Sequence, residues 1–318
     1  LRLGEIYETA IKKGIAKDPR SKAAIKKALA AVRKEYNKLT KAEKNGFDKE
    51  RLRHPYDDTR ILNGEEDLEV NKIMVGIDME VQELLLADRL NRNGMGVDLV
   101  MAHHPEGRAL AGFYRVMGMQ LDIQEKFGMK HDAGEDMLNE RIEEVARSIA
   151  AVNHGRSVDA AKLLGIPYMC VHTPADNHVY SFLTGLMEKK KPGTIGDVID
   201  ILEGIPEYRT AISNSAGPFI LAGKRKNKAG RIMVDMTGGT EGSRRVFPRL
   251  SQAGVGTIIG MHFSEKHFQS ARKEHINMIV AGHISSDTLG LNLFLDELLK
   301  KGDIEAVGCS GFKRVQRR

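Results

Sequence analysis

The sequence predicts an α/β protein, with parallel or mixed sheets covered by helices and divided into about two domains. Short apolar runs of strand length alternate with stretches of helical periodicity, the pattern left by strands joined through covering helices. A length of 318 residues fits about two domains. Hydrophobic residues make up 41% and charged residues 29%, a balance that allows a sizeable core.

The first stretch reads as helix. Asp18-Pro19 suits a helix start, with the aspartate as cap and the proline in the first turn. Ile25, Leu29, Val32 and Tyr36 then recur at helical spacing with lysines between them. Residues 40–70 are polar and irregular and read as a connector. The strand-like runs that follow are Lys72–Asp78, Asp98–Ala102, Pro167–His172, Pro218–Ala222, Arg231–Met236, Gly256–Gly260, Asn277–Ala281 and Glu305–Cys309. Helical patterns occupy Glu80–Asn91, Glu135–Ala150, Ala160–Leu164, Ile195–Glu203, Ser264–Glu274 and Thr288–Lys300. A Lys-Lys-Lys-Pro-Gly run at Lys189–Gly193 marks a break. The expected division is a basic helical extension and connector over 1–65, an α/β domain over 66–190 and a second over 191–318. No short internal repeat is visible.

The net charge of +6 is uneven: residues 1–60 hold 17 Lys+Arg and 9 Asp+Glu, net +8, and the rest is net −2. The basic balance therefore belongs to the extension. A solvated lysine face is the plainer reading of it, and a nucleic-acid partner the sharper one. The apolar stripe is expected to pack on the body or on a neighbouring subunit, because an isolated helix of this length is marginal in water. No apolar run approaches the ~18 residues of a membrane span, and the charged first segment does not resemble a signal peptide. The two cysteines, Cys170 and Cys309, sit in apolar runs as small core residues. A reducing, cytoplasmic location is expected.

Three strand ends carry metal-type residues: Asp98-Leu-Val-Met-Ala-His103-His104-Pro105, Met169-Cys-Val-His172-Thr-Pro-Ala-Asp176-Asn-His178 and Ile279-Val-Ala-Gly-His283-Ile-Ser-Ser-Asp287. In α/β sheets, sites form at the carboxyl ends of strands. Imidazole and carboxylate suit zinc, iron, manganese, cobalt or nickel, and the lack of cysteine argues against a closed structural zinc. Adjacent His103 and His104 on a pleat would point to opposite sides and so serve two different ions. His283 and Asp287 share a face if their segment is helical. His172 and Asp176 have the same spacing, but Pro174 favours a loop there, and His172 alone could simply satisfy a backbone carbonyl.

From Tyr56 to Leu299 the chain resembles the Nif-three-like family, also called type-two GTP cyclohydrolase I-like proteins. The resemblance rests on Asp57-Asp58-Thr-Arg-Ile-Leu-Asn-Gly64, Ile73–Asp78, Asp98–Pro105 and His172–Asp176. It continues through the glycine-rich turn Val234–Ser243, Phe263-Ser-Glu-Lys266 and Ala281–Asp287. It implies two related α/β domains flanking a metal cleft and a dinuclear site of His103, His104, Asp176, His283 and Asp287. It also implies a ring-shaped homo-oligomer, often a hexamer. Three features depart from the family pattern. Asp287 stands where glutamate is usual, the Phe113–Asn153 stretch is long, and the basic extension lies outside the family core.

The expected function is a metal-dependent hydrolase in which two divalent ions activate water against a small, anionic, nucleotide-like substrate. The GTP cyclohydrolase label comes from the resemblance alone. The alternative is a non-catalytic metal-binding scaffold, metal-delivery or regulatory protein. His178 and Glu265 are candidate catalytic groups, against the plainer readings of a loop histidine and of a first-turn acid behind a Ser264 cap. His267 is a further candidate for orienting water or substrate. Gly239, Thr240, Gly242, Ser243 and Arg244 are candidates for binding an anion, against a plain tight turn. His131, Asp132 and Glu135 form a polar cluster read as a helix start.

Overall fold

A computed structural model describes residues 1–129 and 131–317; the side chains of His131, Asp132 and Ala133 lie outside that description. Of the expected polar cluster, only the backbone placement of those two acidic and imidazole residues is therefore given, and it starts a helix at His131.

The strands are β1 (Arg60–Asn63), β2 (Lys72–Gly76), β3 (Leu99–Ala102), β4 (Tyr168–Cys170), β5 (Phe219–Ala222), β6 (Arg231–Asp235), β7 (Val255–Gly260), β8 (Asn277–Val280) and β9 (Glu305–Gly308). The helices before β4 are α1 (Leu3–Lys17), α2 (Lys22–Lys38), α3 (Lys41–Gly46), α4 (Val81–Arg92), α5 (Gly107–Gly112), α6 (Met119–Glu125), α7 (His131–Ala150) and α8 (Arg156–Leu164). After it come α9 (Thr173–Lys190), α10 (Ile195–Glu203), α11 (Pro206–Ser213), α12 (Phe247–Gln252), α13 (Glu265–Lys273) and α14 (His283–Leu298).

Two mixed sheets result, ordered β1-β4-β3-β2-β9 and β5-β8-β7-β6. Their first four strands repeat one plan. An antiparallel edge strand (β1 or β5) pairs with β4 or β8, and the remaining neighbours run parallel. In each unit the strand beside that edge leads straight into a long helix, α9 or α14. The expected pair of related α/β units is thus present in topology, though no short repeat marks it in the sequence. Strand β9 departs from the expected division, because it leaves the second unit and pairs in parallel with β2 of the first.

The N-terminal segment is not a uniform extension. Leu3, Ile6, Tyr7 and Ala10 of α1 are buried in one core with strands β2 and β3 and with Leu291, Phe294, Leu295 and Leu298 of α14. The stripe on α2 packs chiefly against the short 3₁₀ turn at Lys49–Leu52. Ile25 is buried, Leu29 and Val32 are half-buried, and Tyr36 tilts against Phe47 at 5.0 Å between ring centroids.

Two further differences have physical causes. The connector holds β1, hidden because Arg60 fills an inward position. Arg60 is 1% exposed and is held by the Tyr56 and Thr59 carbonyls and by Asp48 and Asp57. The loop expected after His172 is helix α9: Pro174 sits in its first turn, where the missing N–H costs nothing. The Phe113–Asn153 stretch folds onto the glycine-rich turn, with Gln120 Nε2 donating to the Gly238 and Thr240 carbonyls at 2.7 Å each.

Candidate metal centre

Four strands deliver the site. Asp78 follows β2, His103 and His104 follow β3, His172 follows β4, and His283 follows β8. The first three strands belong to one sheet and β8 to the other, so the cluster lies where the carboxyl ends of the two sheets meet. Asp176 sits in the first turn of α9, where the helix amides favour a carboxylate, and Asp287 lies one turn into α14, on the same face as His283.

Two glycines permit this assembly. Gly282, at φ +105°, turns β8 into α14, and a Cβ there would stand 2.6 Å from Ser285 Oγ. At Gly290 a Cβ would stand 2.7 Å from the Ala175 carbonyl oxygen. Glycine therefore lets α14 approach α9 closely, and that approach brings Asp287 beside Asp176.

The five expected ligand residues converge. His103 Nε2 lies 3.3 Å from Asp176 Oδ1 and 3.2 Å from Asp287 Oδ1. His104 Nε2 and His283 Nε2 each lie 3.4 Å from Asp287 Oδ2, and 3.4 Å from each other. His103 and His104 do not splay as a pleat would direct. Strand β3 ends at Ala102, so the alternation has stopped, and both rings join one donor group with Asp287. A second group, His103, His172 and Asp176, shares His103; in each group the donor atoms all lie within 4.8 Å of one another.

Sequence reasoning missed His172 as a donor and missed the acids behind the rings. His172 Nδ1 lies 2.8 Å from Asp58 Oδ2, which leaves its Nε2 for the cluster. Asp58 is fully buried and also accepts from the Thr173 hydroxyl and amide. Burial pushes Asp58 up, but His172 and Thr173 outweigh it and hold it below the usual carboxylate range. His104 Nδ1 lies 2.6 Å from Asp78 Oδ1. His103 Nδ1 lies 3.0 Å from the Val171 carbonyl. That oxygen can only accept, so Nδ1 carries the hydrogen and Nε2 presents its lone pair in the neutral ring. Carboxylate or carbonyl behind each imidazole is the usual support of a metal-binding histidine. The only signal for Asp58 was its place in the Asp57-Asp58-Thr-Arg motif.

The electrostatics concentrate on Asp287. Burial pushes its pKa up, yet His103, then His104 and His283, hold it far below the carboxylate range. Burial opposes charge on His103, but Asp287 and Asp176 outweigh it and raise its pKa well above the ordinary value. His104 is raised to about 9, with Asp287 and Asp78 overcoming burial. On His283 burial prevails and lowers the pKa.

A metal fits this donor set. His103 Nε2, Asp176 Oδ1 and both oxygens of Asp287 are buried without a partner of hydrogen-bond geometry. Buried polar atoms are normally satisfied, and four orphans facing one another call for a shared cation.

The other expected site residues go elsewhere. His178 is buried on α9 two residues past Asp176, about 200° around the helix. Its charged neighbours are Lys17, Glu297, Lys13 and Lys300, at the far ends of α1 and α14, and burial and these lysines push its pKa down to about 4. Glu265 is exposed in the first turn of α13 and accepts from Gln269, while Ser264 caps the helix. The glycine-rich segment is a fastened turn. Gly238 and Gly239 take φ +99° and +84°. The carbonyls of Glu241 and Gly242 accept from Arg141 and His267. The helix beyond Ser243 is a three-residue 3₁₀ turn, Arg244–Val246, which offers no cradle of amides. Arg244 instead lines a groove of mixed charge with Arg141, Glu144 and Glu265. One unforeseen residue joins the rim: the half-exposed His262 stands 4.8 Å from His283 between ring centroids. It follows β7 as His104 follows β3.

No protein-family model and no curated protein matches the chain. Among solved structures, it is similar to a NIF3 superfamily protein from Sphaerobacter thermophilus. The two share 27% identity at a TM-score of 0.70, over 82% of this chain and 93% of that one. It is also similar in fold to reduced HcgD from Methanocaldococcus jannaschii. There the identity is 15% and the TM-score 0.51, over 79% of this chain and 88% of that one.

Proposed function

We propose that this chain, which belongs to the Nif-three-like family, holds divalent metal ions at the His/Asp cluster and hydrolyses a small anionic substrate there. The observation that carries the proposal is the set of buried, unpartnered atoms on His103, Asp176 and Asp287. Two overlapping groups would offer a position, one of His103, His172 and Asp176 and the other of His103, His104 and Asp287, with His283 beside the latter. The single free lone pair of His103 would serve one ion, and a second would draw on the remaining donors. Bound divalent ions supply Lewis acidity and make water a nucleophile near neutral pH. The chain itself orients the donors. The Val171 carbonyl, Asp58 and Asp78 fix the three rings so that each Nε2 faces the cluster. Helices α9 and α14 hold the two aspartates in register, and Phe113 stands edge-on to His172 at 5.4 Å, limiting water on that side. A GTP ring-opening reaction is a narrower form of the same proposal.

A second reading, metal holding or delivery without catalysis, draws on one observation. Neither His178 nor Glu265 stands at the cluster to move a proton. The test is metal analysis of the purified protein, followed by a panel of phosphate esters and nucleotides with and without chelator. Chelator-sensitive turnover is the expected result. Bound metal with no turnover on any substrate supports the second reading, and a metal-free protein that cannot be loaded removes both.

A further inference from the structure

Beside the cluster lies a cavity of about 440 Å³ formed by α11, the Ala216–Phe219 turn, the start of α14 and the tail from Gly311. Its apolar walls are Ala211, Ala216, Phe219, Ile284 and Val315, and His283 belongs both to it and to the His/Asp cluster. The volume lies within the range of small-molecule sites. Phe219, Ile284 and the neighbouring Ile212 are 51%, 40% and 43% exposed, so an apolar surface stands open next to a charged cluster.

Thr210, Asn214, Ser215, Ser285 and Thr288 also line the cavity as neutral polar groups, and its two charged wall residues differ sharply. Glu207 lies at the wall but is engaged, accepting from Asn292 Nδ2 at 3.0 Å and from Arg317 Nη2 at 2.6 Å. Lys313 is exposed, and its ammonium has no ion-pair partner among the described residues. The tail that places it is clamped by the buried Asn292, which donates to the Lys313 carbonyl and accepts from the Val315 amide, both at 3.0 Å. The wall is therefore fixed rather than loosely draped.

We infer that this cavity is the specificity pocket of the metal site and takes the flat apolar body of an aromatic, anionic substrate whose metal-binding group reaches the cluster past His283. The inference rests on the metal reading above. Three features favour a ring over a sugar or an extended chain: the apolar walls, the edge given by Phe219, and the absence of an unengaged carboxylate. Lys313 favours an anionic substituent at the mouth. The wall shared with His283 favours the substrate over a second copy of the chain as occupant.

The test compares two probes with one metal-binding group, acetohydroxamate and benzohydroxamate, by calorimetric titration into the zinc-loaded protein. Benzohydroxamate is expected to bind about tenfold tighter or better, since the ring removes its apolar surface from water. Ala216→Trp, at an exposed position and so compatible with folding, is expected to abolish that preference while leaving acetohydroxamate binding and zinc content unchanged. Phe219→Ala is expected to reduce it. Equal affinities in the parent protein, or a preference that Ala216→Trp leaves intact, overturn the inference. A change of oligomeric size in Ala216→Trp with the preference intact assigns the face to a second copy instead. Failure to retain zinc or to bind either hydroxamate overturns the metal reading beneath the inference and removes both.

Discussion

Replacing Asp287 with asparagine tests the centre most directly, because three imidazoles meet on that one carboxylate. The change keeps the shape of a side chain that is 0% exposed and removes only its charge and one lone-pair-bearing oxygen. His103, His104 and His283 stand 3.2, 3.4 and 3.4 Å from it. Disturbing a residue that merely supports a ligand costs about 10–100-fold in metal affinity. Losing a donor shared by three imidazole neighbours should cost at least about 100-fold, close to 3 kcal/mol at ~1.4 kcal/mol per decade. The variant should still fold, because the new amide N–H can donate to imidazoles that are now neutral. His104, held up at about 9 chiefly through Asp287 and Asp78 against its burial, should titrate nearer its ordinary value in the metal-free variant. Metal content by mass spectrometry, zinc competition against a chelating dye and an NMR titration of the histidine rings read these three effects. Asp287→Glu is the control: it should keep metal but melt lower, since an extra methylene in a buried position costs about 1–3 kcal/mol. Equal metal retention in the asparagine variant and the parent protein would falsify the placement of Asp287 among the ligands.

Three further outcomes are expected. Asp58→Asn should weaken zinc binding by about 10–100-fold without contacting the metal, because the charged acceptor that orients His172 becomes a weaker, neutral amide; unchanged affinity would place His172 outside the centre. His178 has a folded-state pKa of about 4 against an ordinary 6.5, so the fold favours its neutral form. Its contribution is fully present above about pH 6.5 and is lost as pH falls from there towards 4, by up to roughly 3 kcal/mol at ~1.36 kcal/mol per unit. His178→Leu should therefore lose less stability than the parent between about pH 7 and pH 4.5 in denaturant titrations, and an identical acid loss would contradict the assignment. Ile6→Ala should cost roughly 2–5 kcal/mol because α1 is core, whereas Leu29→Ala on α2 should cost about 1 kcal/mol or less; similar melting temperatures for the two variants would show that α1 is dispensable.

What the sequence disclosed and what it hid follow from the range of the interactions. The eight apolar runs are all strands; β2, β3, β4, β7 and β8 are parallel strands buried along nearly their whole length, which need continuous hydrophobic sequence, whereas the edge strands β5 and β9 are apolar but partly exposed. The donors at their ends were legible for the same reason: a polar pair such as His103-His104 at the close of an apolar run stands out. Strand β1 was not legible, since its inward Arg60 breaks the alternation and is satisfied by residues brought in through the fold. Helix α9 was hidden by its own burial. Every residue from Thr173 to Tyr180 is buried, so its first two turns are enclosed all round and have no exposed face to set the period. Lysine-rich α2 masked apolar α1, and the two were read as one extension. Asp58 supports His172 across 114 residues of chain, a separation at which spacing carries no information.

The return of β9 to the first sheet sets an order on how the molecule comes into being. All four strands of the second sheet lie between Phe219 and Val280, so that sheet has all its strands once residue 280 has been made. The first sheet begins earlier and finishes later. Until Glu305–Gly308 is synthesised, β2 keeps an open edge. Until α14 is synthesised, Leu3 and Ile6 lack Phe294 and Leu298 as neighbours. The part made first must wait for the part made last, a reversal of the usual progression of folding from the N-terminus during synthesis. The donors follow the same calendar. A nascent chain displays His103, His104, His172 and Asp176 long before it owns His283 and Asp287, so four of the six clustered donor residues emerge well ahead of the other two. Closure of α14 against α9 at Gly290 is then one event with two results: it seals the first core and completes the His/Asp cluster.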